Sequence, residues 1–320
     1  MIDLEKEIDH LRKTCINCGK CTAVCPSLKH GGFDPKEMMV AGVGDITLCI
    51  QCGKCSQVCF RTDPFRVMRD CLALYKEEHP NENYQRYRFI LPPAEEQMEP
   101  GWNGDDVCVI PGCVVESRLP YLKYACRAAL DSIGKRSHQI SDNQCCMMPS
   151  MFSELGEMGR RPVRTMMVRG EKGDLVALCG GCASEFRHDG TEVKHLLEYL
   201  FENIDSLPVS SKSYKVAIEP GCSMDRHYKQ MKAVVEKMGF IIVNETYGCC
   251  GSKKSPLNTM LKEREEECAD ADFIVLNCPF CMTKYEKFEG GKPCMHIAEL
   301  VAFAAGDSTT LDLHNIPLKL

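Results

Sequence analysis

From residue 105 onward the chain alternates short apolar runs with longer stretches of helical spacing. VCVI (107–110), LVAL (175–178), VAI (216–218), FIIV (240–243) and FIVL (273–276) are rich in β-branched residues and too short for helices. LPYLKYACRAALDSIG (119–134) and YKQMKAVVEKMGF (228–240) carry apolar residues three and four apart, as amphipathic helices do. This alternation predicts βαβ units, in which a mostly parallel sheet carries helices on its faces. Upstream the pattern is different. Residues 1–75 show no strand periodicity, and residues 76–104, KEEHPNENYQRYRFILPPAEEQMEPGWNG, are rich in Pro, Glu and Asn and read as a linker. The expected fold class is α+β to α/β: a mainly helical N-terminal domain followed by two tandem βαβ, Rossmann-like repeats at 105–207 and 208–320.

The tandem repeat is visible in the sequence. VCVIPGC (107–113) aligns with VAIEPGC (216–222), Cys145-Cys146 with Cys249-Cys250, and LVALCGGCASEF (175–186) with FIVLNCPFCMTKY (273–285). Each copy closes on a similar phrase of helical character, VKHLLEYLFEN (193–203) and CMHIAELVAFA (294–304). In open parallel sheets, sites form beyond the carboxyl ends of strands. Cys113, Cys179, Cys222 and Cys278 all fall where a predicted strand ends.

Composition changes the picture through one residue type. The chain has 320 residues, 23 of them cysteine, several times the ordinary share. It opens MIDLEKEIDH, without the basic segment and apolar run of a secretory leader, so metal is favoured over a disulfide framework and a cytoplasmic setting is expected. The net charge of -6, with basic residues scattered, argues against nucleic acid as a partner. No apolar run has the length of a membrane span, so any attachment to the inner face of a membrane would be peripheral, through a partner subunit.

Residues 15–26 (CINCGKCTAVCP) and 49–60 (CIQCGKCSQVCF) both carry Cys-x2-Cys-x2-Cys-x3-Cys. This is the two-cluster ferredoxin run, in which the fourth cysteine ligates the other cluster. One cubane 4Fe-4S cluster is accordingly assigned to Cys15, Cys18, Cys21 and Cys59, and the other to Cys49, Cys52, Cys55 and Cys25. Three thiolates from one tight turn must reach three corners of a cube, and Gly19 and Gly53 let the backbone fold closely around it. Pro26 follows Cys25 as the run asks, whereas Phe60 stands in proline's place after Cys59. Zinc, the alternative, usually takes two separated Cys-x2-Cys pairs.

In the βαβ region five cysteines recur from three strand ends: Cys113, Cys145, Cys146, Cys179 and Cys182, then Cys222, Cys249, Cys250, Cys278 and Cys281. Five thiolates exceed what a tetrahedral zinc or an ordinary cubane takes. An unusual cluster is indicated.

These residues resemble the cysteine-rich CCG domains of the heterodisulfide reductase family. The carriers are PGC (111–113), CC (145–146), CGGC (179–182), PGC (220–222), CCG (249–251), NCPFC (277–281) and MHIAEL (295–300). With the two-cluster segment in front, the chain resembles a fusion of the family's ferredoxin-like and catalytic subunits, as in the membrane-associated reductases of methanogens. The resemblance implies that each five-cysteine set binds a noncubane 4Fe-4S cluster. It implies that a disulfide, the heterodisulfide of coenzyme M and coenzyme B, is cleaved between the two clusters, and that an electron-donating partner, a b-type cytochrome or a soluble flavoprotein, supplies the electrons. Met147 departs from the pattern, standing where the second copy has Gly251.

The rival readings are an electron-transfer subunit serving a flavin-dependent dehydrogenase or a fumarate or succinate oxidoreductase, and structural zinc or interaction modules. No Gly-rich dinucleotide fingerprint appears, which leaves flavin or nicotinamide to a partner. Cys108 and Cys126 read as buried small hydrophobes, and Cys71, Cys268 and Cys294 fall outside the sets. His195 and His296 hold matching places and read as packed helix-start residues, with a proton-donor role as the alternative. Arg118, Arg187, Arg226, Lys253 and Lys254 follow cluster cysteines and read either as anion contacts or as a solvated face.

Overall fold

The computed structural model of the chain describes residues 4–79, 94–96, 98–148, 163–244, 250, 257–287, 291–314 and 316. The N-terminal part is a set of short helices: α1 (Leu4–Lys13), α2 (Lys20–Ala23), α3 (Pro26–Lys29), α4 (Pro35–Ala41), α5 (Lys54–Gln57) and the longer α6 (Pro64–Glu78). Their starts are written in the sequence. Asp34 and Asp63 precede Pro35 and Pro64, and the two carboxylates accept from the amides of Lys36 (2.8 Å) and Arg66 (3.0 Å). Ile8, Phe33, Met38, Met39, Ile46, Val67, Met68 and Leu72 form the small core beneath the helices.

Two four-stranded parallel sheets follow. The first has β1 (Val107–Ile110), β2 (Ser137–Gln139), β3 (Asp174–Ala177) and β4 (Lys194–His195) in the order β2-β1-β3-β4. The second repeats that order with β5 (Lys215–Glu219), β6 (Ile241–Ile242), β7 (Phe273–Leu276) and β8 (Cys294–His296) as β6-β5-β7-β8. The crossovers contain α7 (Cys113–Arg118), α8 (Leu122–Ser132), α9 (Gly180–His188), α11 (Tyr228–Lys237), α12 (Leu257–Glu267) and α13 (Pro279–Tyr285), while α10 (Leu196–Glu202) leads from β4 to the second sheet and α14 (Ile297–Ala304) and α15 (Thr309–Leu313) follow β8.

VCVI and FIVL are strands over their whole length. The closing phrases are not helical throughout: each starts with a short strand, β4 or β8, before its helix begins at Leu196 or Ile297. β2, the polar triplet Ser137–Gln139, carries no apolar signature because it sits at the sheet edge. Of the segment expected to link the parts, α6 continues to Glu78, and Ala94, Asn103 and Gly104 hydrogen-bond to the first sheet unit through Glu116 and Ser137 carbonyls.

The halves pack reciprocally. α14 of the second lies on α8 of the first, and α10 of the first lies on α11 of the second. Both contacts belong to one continuous core. Every residue of α14 is buried, as expected of a helix that is apolar on all sides.

Candidate metal centres

The four cysteines assigned to the first cubane line a single pocket, together with Gly19, Lys20, Met39 and Phe60. Three come from one turn and Cys59 from the other copy. Gly19 and Gly53, each directly after a cysteine, adopt left-handed backbone (φ 74° and 76°), the conformation only glycine takes without cost. Cys25 lies within electrostatic reach of Cys52 and Cys55, which also feel Cys49. Burial pushes the Cys52 thiol up to about 12 and Cys55 well above its usual range, and the neighbouring thiols add to both shifts. A group of buried sulfurs that repel one another as thiolates is a donor set suited to a cationic metal centre.

Eight of the ten cysteines of the two sets form one line of sulfur contacts. Cys113 meets Cys145, Cys145 meets Cys146, Cys146 meets Cys182, and Cys182 meets Cys179. On the other side Cys278 meets Cys281, whose sulfur is 3.2 Å from that of Cys250. Cys179 and Cys278 touch each other and join the two sets. Cys222 stands near Cys278 and also near Cys52, so the N-terminal cysteines adjoin the second set. Cys249, Gly251, Lys253 and Lys254 lie outside the described residues.

Local sequence explains how the sulfurs converge. Cys179 and Cys278 are the N-caps of α9 and α13, and Cys182 and Cys281 sit in the first turns. Cys179 is held well below the usual thiol range, chiefly by S–H donation from Cys182 and Cys278, with help from the amides of Gly181 and Cys182. Gly112 and Gly221 of the two PGC turns have positive φ (81° and 77°), and a Cβ there would come within 3.0 Å of the Cys182 sulfur and 3.1 Å of the Cys278 Cβ. Glycine is required twice over, by dihedral and by space.

The three described non-glycine residues with positive φ share one setting. Asn17, Gln51 and Met147 (φ 55°, 57° and 52°) each lie two residues after a cysteine assigned to a cluster, Cys15, Cys49 and Cys145. The amides of Asn17 and Met147 donate to the sulfurs of Cys15 (3.4 Å) and Cys145 (3.3 Å). Met147 thus reproduces with a side chain the backbone turn that glycine would make freely, and it is fully buried.

Several positioning residues carry no sequence signal. Arg164, with no exposed surface, donates to the Cys146 carbonyl (3.0 Å) and pairs with Asp189 (2.9 Å) and Glu185 (3.6 Å). Asn143 accepts from the Gly112 amide (3.4 Å) and donates to Glu116 (2.9 Å). His195 and His296 meet at the junction of the halves, ring centroids 6.5 Å apart. Each Nδ1 accepts from its own helix, from Leu197 and Ala298 amides, so each Nε2 carries the proton. Both Nε2–H groups are directed at the Leu178 carbonyl (3.3 and 3.2 Å), and that of His195 also at the Asn277 carbonyl (3.0 Å). Those carbonyls immediately precede Cys179 and Cys278. Burial lowers both imidazoles to about 4. They are neutral caps whose donors are taken, which answers the proton-donor alternative. Of the basic residues, Arg187 is engaged by Glu198 (2.7 Å), while Arg118 and Arg226 are exposed.

Residues 7–60 match the family model of the 4Fe-4S dicluster domain. This chain is an iron-sulfur protein. The N-terminal helices meet both sheet units: on α6, Arg66 reaches His188 (3.1 Å) and Arg69 pairs with Glu185 (3.5 Å), and Lys29 of the dicluster domain pairs with Glu263 (3.3 Å). The chain is 25% identical to an uncharacterized iron-sulfur protein of Methanococcus maripaludis over 94% of this chain and 64% of the relative. It is 22% identical to a protein named as a subunit of the fumarate reductase (CoM/CoB) of Methanothermobacter marburgensis, over 92% of this chain and 61% of the relative. The chain therefore spans less than two thirds of the length of these relatives. An aspartate racemase homologue of Pyrococcus horikoshii overlaps 67% of this chain and all of its own, at 11% identity and a TM-score of 0.27, too low to bear on fold or function. No helix among the described residues is long and apolar enough to cross a membrane.

Proposed function

We propose that this chain is the iron-sulfur subunit of an oxidoreductase that reduces a disulfide, the heterodisulfide of coenzyme M and coenzyme B, to two thiols. The half-reaction is RS–SR′ + 2 e⁻ + 2 H⁺ → RSH + R′SH. The observation that supports the reading is the contact of Cys179 with Cys278, which joins the described cysteines of the two sets. Two noncubane 4Fe-4S clusters on those sets, fed by two cubanes on the dicluster domain, would supply one electron each to the two sulfurs.

The chain's own residues support this use. Cys179, Cys222 and Cys278 are partly exposed, whereas Cys113, Cys145, Cys146, Cys182, Cys250 and Cys281 are buried, so a substrate would reach the sets at their junction. Arg118 and Arg226 follow Cys113 and Cys222 in sequence, are exposed, and suit a sulfonate or phosphate group. Electrons would enter from a donor partner, a b-type cytochrome or a flavoprotein, beside the first cubane site, where Ile16 and Phe60 are exposed. Cys52 beside Cys222 supports onward transfer to the second set.

A second reading rests on the relative named for fumarate and CoM/CoB. There the same centres would oxidise thiols and pass electrons to a flavin-bearing partner. Anaerobic reconstitution should give about sixteen irons per chain, as four clusters of four require, and a paramagnetic signal that depends on added coenzyme thiols. Cys250→Ala should abolish heterodisulfide reduction with an artificial electron donor while the cubane signals persist. Retained activity in that variant sinks the reading. Activity only with fumarate and a flavoprotein partner selects the second one.

A further inference from the structure

Cys108, read from sequence as a core hydrophobe, has company that the reading missed. It lies on β1 directly opposite His138 on β2, and Glu171 reaches them from the turn before β3. We propose that Cys108, His138 and Glu171 hold a zinc ion, separate from the two five-cysteine sets.

The distances suit a metal. The Cys108 sulfur is 3.7 Å and the His138 Nε2 3.2 Å from the same Glu171 Oε2, and the three donor atoms lie within 4.8 Å of one another. Tetrahedral zinc with its usual bond lengths sets S···O at about 3.6 Å and N···O at about 3.4 Å. The surroundings orient each donor. His138 Nδ1 is 3.3 Å from the Gly104 carbonyl, which fixes the proton there and leaves the Nε2 lone pair facing Cys108 and Glu171. The Ser141 amide (2.8 Å) and hydroxyl donate to Glu171 Oε1, leaving Oε2 for the ion. A lone pair, a carboxylate oxygen and a sulfur that face one another form a donor set that a cation between them would satisfy at once.

The duplicated plan does not require this group. Cys108 and Ala217 hold the same register position, opposite Leu175 and Ile274 in their sheets. Val243, which follows β6 and donates to the Val216 carbonyl, stands in the place of His138. The second half folds to the same strand order without the donors. Nitrogen, sulfur and carboxylate oxygen together suit zinc, and three protein ligands leave a fourth position for water, which can enter beside His138, whose side chain is 23% exposed. Binding exchanges one proton for the ion: Zn²⁺ + Cys108–SH → Zn–S(Cys108)⁺ + H⁺. Cys108 packs in the same cluster as Cys146 and Cys182, so the ion would brace the wall behind the first five-cysteine set.

The full chain, purified anaerobically with its clusters from zinc-supplemented medium, is tested by elemental analysis and zinc K-edge absorption. About one zinc per chain is expected, with one sulfur and three nitrogen or oxygen neighbours. Cys108→Ala, which copies Ala217, and His138→Gln should each lower zinc at least tenfold with iron unchanged. Zinc absent from the wild type, retained in both variants, or surrounded by sulfur alone would overturn the site. The last result would assign the zinc to misloaded cluster cysteines, and the first would leave Cys108, His138 and Glu171 joined by hydrogen bonds alone.

Discussion

Acidification should destabilise this protein through the two histidines at the junction of its halves. Both are fully buried and neutral, lowered by burial from 6.5 to about 4, and His296 also by the proximity of His195. An unfolded chain takes up the protons first, so their contribution to stability is complete above pH 6.5 and falls as the pH drops towards 4. For one such group, the loss between pH 7.5 and 5.5 is about 1.3 kcal/mol, from 1.36 kcal/mol per pKa unit applied to the two titration curves, and for both it is about 2.7 kcal/mol. His195→Gln with His296→Gln keeps a neutral N–H donor for the Leu178 and Asn277 carbonyls and removes the titration. It also removes each Nδ1 cap, at about 1 kcal/mol per helix, but at every pH alike. Anaerobic urea unfolding of both proteins at the two pH values isolates the difference, because other groups and the clusters contribute equally to each. The wild type should lose about 2.7 kcal/mol more than the double variant. Parallel losses would refute the assignment of both rings as neutral donors.

Three further outcomes follow from the site. Gly112, at φ 81° and ψ 165°, occupies a region that only glycine uses freely; Gly112→Ala should cost about 3 kcal/mol and remove about four irons per chain by elemental analysis, with the cubane signals intact. Arg164→Met strands Asp189, Glu185 and the Cys146 carbonyl, and should lower stability by about 3–5 kcal/mol in denaturant unfolding. At Met147 the left-handed backbone costs alanine about 1–2 kcal/mol, which offsets the methyl burial and backbone stiffness that ordinarily favour it over glycine. Met147→Ala and Met147→Gly should therefore unfold within about 0.5 kcal/mol of each other, and a clear advantage for alanine would show that the turn is unstrained.

What could be read from the chain was whatever local spacing encodes. VCVI and FIVL are strands because continuous apolar runs of that length suit a strand buried on both faces, and the cysteines after them land at helix starts for the same reason. β4 and β8 escaped because Lys194–His195 and Cys294–His296 are too short to show a period before the helical phrase takes over. The meeting of Cys179 with Cys278, and of His195 with His296, joins residues about a hundred positions apart across two repeats, which alignment of the repeats suggests but only packing creates. Cys108 shows the limit most clearly: within VCVI nothing separates a ligand from a core residue, since its neighbours His138 and Glu171 are set by register and by a turn. Arg164 was invisible because one arginine in RPVRTMM is indistinguishable from a surface residue.

The crossed packing of α8 with α14 has a bearing on biogenesis. The face of α8 formed by Leu122, Ala125, Cys126, Ala129 and Leu130 is buried against a helix that begins only at Ile297. During synthesis the first sheet emerges long before its cover does, with its cysteines exposed to solvent and oxidant. The first half cannot cover α8 until residues 297–304 have been made, and a ribosome that stops before them releases a chain with a bare apolar helix and exposed thiols, a substrate for quality control.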